Sequence, residues 1–108
     1  MDQQKQISLE GLKNLLSSKN KNVKVIDIRC AEEYKNQHIP IAENIPAETL
    51  DSVSFSQDDT IICVCNHGKQ RSQNAAVRLN EKGYENAFYL EGGTAAWFGE
   101  NSNQIDHP

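Results

Sequence analysis

No stretch of this chain approaches the ~20 consecutive apolar residues that a bilayer-spanning helix needs, and no apolar signal segment follows Met1. Cysteine is scarce and odd in number, with three residues, which argues against a disulfide framework. These absences make a cytoplasmic, reducing setting the expected one. Positive charge is in deficit: 11 Lys and Arg face 15 Asp and Glu, for a net charge of −4. The chain thus has no global attraction for nucleic acid or an anionic membrane surface. No Cys-x-x-Cys or paired-His spacing joins Cys63, Cys65, His38 and His67 into a standard metal site, so no metal and no cofactor is expected. Internal repeats and low-complexity segments are missing too. With 108 residues, 37% of them hydrophobic, the chain has material for one domain with its own core and no room for a second. Nothing in it obliges a dimer, and a monomer is expected.

Against this background one segment is unusual. The apolar run Ile61-Ile62-Cys63-Val64 delivers Cys65 into a polar turn, Asn66-His67-Gly68-Lys69-Gln70-Arg71, just before a helical pattern begins at Ser72. Peptide N–H groups at a helix start are unpaired and carry roughly half a positive charge, so a sulfur placed there is favoured as the nucleophilic thiolate. The same turn holds His67, Lys69 and Arg71, although the helix dipole prefers acidic side chains at this end. Cations set against the dipole in an acidic protein imply an arriving anion.

Apolar runs and amphipathic helical patterns alternate along the chain, which predicts an α/β fold with a parallel sheet covered by helices. Leu9, Leu12, Leu15 and Leu16 recur at helical spacing behind Ser8, a good N-cap. Val23 to Ile28 reads as a buried strand with polar residues at its C-terminal end, where α/β proteins keep their ligands. Ala31 to Gln37 predicts a short helix that His38-Ile39-Pro40 breaks. Ile45-Pro46 suggests a strand edge, and Ala47 to Val53 a brief helix. Thr60 to Cys65 is continuously apolar and therefore central. Ser72 to Lys82 predicts a helix closed by Gly83, which makes the Cys65 loop a strand-to-helix turn. Ala87 to Leu90 reads as a strand, Gly92-Gly93 as a tight turn and Thr94 to Phe98 as a last helical turn. A domain spanning residues 1–98 is expected, followed by a polar, frayed tail at 99–108.

Val25-Ile26-Asp27-Ile28-Arg29, Glu33-Tyr34, His38-Ile39-Pro40 with Ala42, Asn44-Ile45-Pro46, the Cys65 loop, Gly83-Tyr84 and Leu90-Glu91-Gly92-Gly93 ending in Ala96-Trp97 occur in an order that resembles the single-domain rhodanese family. The resemblance runs from about Ile7 to Trp97. It implies a parallel sheet of about five strands with helices on both faces, and sulfur transfer through a cysteine persulfide. In that scheme Cys65 is the catalytic nucleophile, which takes the outer sulfur of a small anionic donor such as thiosulfate and passes it to a thiol, on a small molecule or a protein, or to cyanide. The loop amides from Asn66 through His67, Gly68, Lys69, Gln70 and Arg71 to Ser72 would bind the anion, with Lys69 and Arg71 supplying charge. Gly68 would permit a positive φ or a close approach to the backbone.

The sequence departs from the common family form in two places. Ile41 stands where a glycine usually follows His-Ile-Pro, which should alter that turn. Arg71 comes six positions after Cys65 instead of five, so the loop is one residue longer and resembles the Cys-x5-Arg signature of phosphatases and arsenate reductases. Sulfur transfer remains the favoured reading, because Val64 replaces the histidine that usually precedes a phosphatase cysteine and no general acid is evident. Sulfite leaves without a proton, whereas an alkoxide does not. Oxyanion chemistry and a non-catalytic interaction domain stay open as alternatives.

The remaining chemically interesting residues have plainer readings. Cys63 shares a strand face with Cys65, at a Cα separation of roughly 6.5 to 7 Å that is the limit for a disulfide, and is read as core with redox chemistry as the lesser role. Cys30 is read as structural or capping. Asp27 and Arg29 are expected to pair with each other, orienting the Cys65 loop being the minor reading, and Trp97 is expected to plug the core.

Overall fold

The protein is described by a computed structural model that covers residues 5–18 and 22–99. Five parallel strands form one sheet in the order β1-β5-β4-β2-β3: β1 (Gln6–Ile7), β2 (Val23–Asp27), β3 (Glu43–Asn44), β4 (Thr60–Val64) and β5 (Ala87–Leu90). Helices α1 (Leu9–Ser17), α2 (Ala31–Asn36), α3 (Gln70–Glu81) and α4 (Gly93–Trp97) and a 3-10 helix at Ala47–Ser52 complete the fold. The expected tail lies outside the described residues, apart from Gly99.

β4 occupies the middle of the sheet because it is the most apolar strand: Ile61, Ile62, Cys63 and Val64 are all fully buried. Its side chains alternate between two cores. Ile61, Cys63 and Cys65 pack with Ala75, Ala76 and Leu79 of α3 and with Leu50 of the 3-10 helix. Ile62 and Val64 pack with Leu12 of α1, while Tyr34 of α2 and Trp97 lie against that same cluster. The helix after β2 therefore covers one face and the helix after β4 the other. Chain segments that leave neighbouring parallel strands toward opposite faces open a crevice at the strand C-termini, and Cys65 sits at that crevice.

Local chemistry explains most boundaries. The Ser8 hydroxyl accepts the Gly11 N–H at 2.9 Å and starts α1, whose Leu12 is fully buried. Gly83, at φ +104°, closes α3, and the Tyr84 N–H donates to the Leu79 carbonyl at 3.0 Å. Two expectations need adjustment. α3 begins at Gln70, not Ser72; Gln and Arg are good helix formers, and only their polarity made the first turn read as loop. The strand edge lies at Glu43–Asn44, before Ile45-Pro46, since Pro46 has no N–H, although the Ile45 and Ala47 N–H groups still donate to the carbonyls of Asp27 and Ile28. The two-residue β1, paired with β5, carries too little pattern to read from sequence. Ile41 sits exposed with an ordinary φ in a turn closed by the Ala42 N–H donating to the Ile39 carbonyl at 2.9 Å.

Candidate active site

Cys65 is the first residue after β4, and its loop is held by a second one. The N–H groups of Thr94 and Ala95 donate to the carbonyls of Cys65 and Asn66 at 2.9 and 3.0 Å. The approach is close enough to dictate glycine on both sides. A Cβ on Gly68, at φ +68°, would stand 2.3 Å from the Leu90 carbonyl oxygen, and one on Gly93, at φ +58°, would stand 2.3 Å from that of Cys65. No side chain fits either gap. The Gly92-Gly93 turn is thus the brace of the Cys65 loop, a role the sequence reading did not assign to it.

Among the described residues, no backbone N–H from Asn66 through Ser72 finds an acceptor in the protein. Helix α3 supplies part of this set, because the first N–H groups of a helix have no partner within it. The Cys65 thiol is 3% exposed and donates to the Ser72 hydroxyl at 3.2 Å. Ser72 in turn lies 3.4 Å from the Lys69 carbonyl, so the sulfur is oriented from the first turn of α3. Cys65, Asn66, His67, Lys69, Gln70 and Arg71 line one cavity of about 280 Å³. Every residue proposed from sequence is brought to this place, Gly68 and Ser72 as supports of the loop.

Arg71, expected to supply charge for the anion, is paired with a carboxylate in this structure. Its guanidinium donates to both oxygens of Glu33 at 3.1 and 3.3 Å. The same carboxylate accepts from the Asn66 side chain at 3.2 Å and from the thiol of Cys30 at 3.5 Å. Hydrogen bonds from Arg71 first, then from Asn66 and Cys30, hold the Glu33 carboxyl down at about 2, against the opposing effect of burial. A depressed acid stabilises the fold above its ordinary value of 4.5, and that contribution is lost as pH falls through about 2, so the pair is intact at neutral pH. Glu33 escaped the sequence reading as a site residue because it lies 38 positions from Arg71 and no spacing rule connects them.

A second ionic tie secures the loop from beneath. Arg29, 4% exposed, donates to Asp27 through Nε and Nη2 at 2.9 and 2.7 Å, and through Nη1 to the Asn66 side-chain oxygen at 2.7 Å. The hydrogen bond to Asp27 raises the Arg29 pKa further. The expected Asp27–Arg29 pair is therefore present, and it also orients the residue after Cys65. Cys63 is core, as expected: burial, and then the neighbouring Cys65, push its thiol up to about 12. Cys30 caps α2 and reaches the site through its hydrogen bond to Glu33. Trp97 is half-buried against the core, with the Lys13 ammonium 5.5 Å from its ring centre.

A cysteine at a strand-to-helix turn, followed by amides without acceptors among the described residues and braced by a Gly-Gly turn, stands at the C-terminal edge of a doubly covered parallel sheet. Comparison with known proteins decides the family. The model of the Rhodanese-like domain matches residues 8–100, so the chain belongs to the rhodanese-like domain family. It is 37% identical over 84 residues to the thiosulfate sulfurtransferase GlpE of Shewanella oneidensis, covering 76% of this chain and 82% of that protein. Identity to the thiosulfate sulfurtransferase GlpE of Pseudoalteromonas translucida is 33%, over 94% of this chain and 96% of that one. Among solved structures, a rhodanese-like domain protein from Staphylococcus aureus superposes with a TM-score of 0.75 at 36% identity, covering 86% of this chain and 90% of that one. A human single-domain sulfurtransferase gives 0.78 at 26% identity, with coverage of 89% and 96%.

Proposed function

We propose that this protein is a thiosulfate sulfurtransferase that works through a Cys65 persulfide. The observation that carries the reading is the run of N–H groups from Asn66 to Ser72 without acceptors among the described residues, in a loop that follows one thiol and lines a cavity large enough for a small dianion. Turned toward the sulfur, such a run supplies several hydrogen bonds to negative charge with no reorganisation when the charge arrives. Cys65, as thiolate, attacks the outer sulfur of thiosulfate; the new S–S bond forms as the donor's S–S bond breaks, and its electron pair leaves with sulfite. The persulfide anion is held by this run of amides. An acceptor thiolate or cyanide then takes the outer sulfur and returns Cys65 to thiolate.

Lys69, exposed and lining the cavity, attracts the donor. Arg71 joins it by exchanging Glu33 for the donor's sulfonate oxygens. No general acid is required, because sulfite departs unprotonated. Names of relatives add support, since the two GlpE proteins, matched over 82% and 96% of their own length, are thiosulfate sulfurtransferases. The free thiols of Cys30, Cys63 and Cys65 suit a reducing compartment such as the cytoplasm. Among the described residues no helix is long and apolar enough to cross a membrane.

The test is an intact-mass measurement after incubation with thiosulfate. One added sulfur is expected, lost on treatment with cyanide and absent in Cys65→Ser. No adduct, combined with turnover of an aryl phosphate, would assign the loop to oxyanion chemistry instead.

A further inference from the structure

Behind the Cys65 loop lies a second cavity of about 100 Å³, lined by Arg29, Gln37, Asn66, His67, Thr94 and Ala95. It shares Asn66 and His67 with the first, so those two residues form the partition between them. The volume is that of about three waters at roughly 30 Å³ each, or of one small ion.

Two donors at this cavity are left over. Thr94 is 4% exposed and its hydroxyl is buried without a hydrogen-bond partner among the described residues. Arg29 has five N–H groups. Nε donates to Asp27, Nη2 to Asp27 and to the Gln37 carbonyl, and Nη1 to Asn66, which leaves one Nη1 hydrogen without an acceptor. The nearby acceptors are already spent on Arg29: both Asp27 oxygens, the Asn66 side-chain oxygen and the Gln37 carbonyl. The imidazole of His67 and the side chain of Gln37, both exposed, stand at the opening. The Thr94 hydroxyl and one Nη1 hydrogen of Arg29 thus have no acceptor among the described residues, and a buried donor left unpaired costs about 1–3 kcal/mol. Water, half donor and half acceptor, answers such a lining less well than a ligand that only accepts.

We propose that this cavity is a second anion site, which takes one small acceptor-only ion, either an oxyanion such as sulfite or the carboxylate of a small acid. Asn66 and His67 of the Cys65 loop separate it from the first cavity, and its occupant bridges Arg29 and Thr94. The first source is the ion released by the transfer reaction, and that assignment rests on the function proposed above. The second is a carboxylate on the acceptor. The existence of the site depends on neither.

The experiment is a nuclear magnetic resonance titration of the reduced full chain with sulfite and, separately, with acetate. Binding at the new site is read from the Arg29 Nε–H and Thr94 amide signals, and binding at the Cys65 cavity from the Gln70 and Arg71 amides. Thr94→Val should weaken the response at Arg29 by roughly ten-fold or more, the scale of one hydrogen bond to a charged group. The Gln70 and Arg71 response should be unaffected, and Thr94→Ser should bind as the wild type does. Saturation by sulfite assigns the site to the leaving ion, and saturation by acetate alone to a carboxylate; both support the site. A response at Gln70 and Arg71 only, or one at Arg29 that Thr94→Val leaves unchanged, overturns it. If Thr94→Val fails to fold, a crystal structure grown at saturating sulfite or acetate decides. An ion within hydrogen-bond distance of Arg29 Nη1 and Thr94 Oγ1 supports the proposal, and waters alone in both crystals refute it.

Discussion

Replacing Glu33 with Gln should improve, not damage, the capture of an anionic donor. Arg71 contacts Glu33 through two hydrogen bonds, and the side chains are 47% and 34% exposed respectively. That exposure places the pair in the class of surface ion pairs worth about 0.2–1 kcal/mol. An arriving donor must break this pair to reach Arg71. Removing it should lower the half-saturating thiosulfate concentration by a factor of about 1.4 to 5. Loss of one negative charge from the cavity mouth acts in the same direction. Both effects fade as salt shortens the Debye length to about 3 Å near 1 M. Gln retains an oxygen for the Asn66 side chain, so the loop should stay in place and kcat should change little. Since the lowered pKa keeps Glu33 ionised throughout the neutral range, the ratio of variant to wild type should be flat there. Steady-state kinetics at low and high salt give the answer. A rise in the half-saturating concentration comparable with that of Arg71→Ala would refute the reasoning, because it would show that Glu33 holds Arg71 where the donor needs it.

Arg71→Ala should raise the half-saturating donor concentration by about 3–10-fold, a charged hydrogen bond discounted for exposure, with an unchanged circular dichroism spectrum. An unaltered donor dependence would mean that Arg71 serves the loop alone. Gly93→Ala and Gly83→Ala both place a side chain at positive φ, but only the first also meets backbone atoms, at 2.3 Å from the Cys65 oxygen. In urea denaturation Gly93→Ala should cost about 2–4 kcal/mol and abolish transfer, while Gly83→Ala should cost about 1–2 kcal/mol and spare it; equal costs would contradict the bracing role. Cys63 has a folded pKa raised by burial to about 12 from an ordinary 9.0. Its contribution is therefore complete below 9.0 and is lost as pH rises toward 12. Cys63→Ala should flatten the loss of stability in that window, and the native protein should resist alkylation at Cys63 while Cys30 reacts. Rapid labelling of Cys63 would disprove its burial.

Local rules were enough for the elements whose cause is local. Ser8 before a leucine pattern, Gly83 after one, and the unbroken apolar run into Cys65 each act within a few residues, and all three appear in the structure as read. The two-residue β1 and β3 follow no such rule. They exist because longer neighbours offer them a ladder, β5 for one and β2 for the other. The same division runs through the site. Cys65 and its polar loop are contiguous, so their chemistry could be inferred from order and spacing. Glu33 on Arg71, Arg29 on Asn66 and Gly93 against Cys65 join residues far apart in the chain.

From its order of residues alone, then, this protein determined a parallel α/β domain and a cysteine at a strand-to-helix turn, because hydrophobic period and helix polarity are short-range properties. Tertiary structure alone decided what that cysteine and its loop meet. The carboxylate that occupies Arg71, the turn that forces glycine at positions 68 and 93, and the unpaired Thr94 hydroxyl behind the loop all depend on which segments the sheet order brings to one end. Contacts of that kind are set by packing of the whole chain, and no window of neighbouring residues contains them.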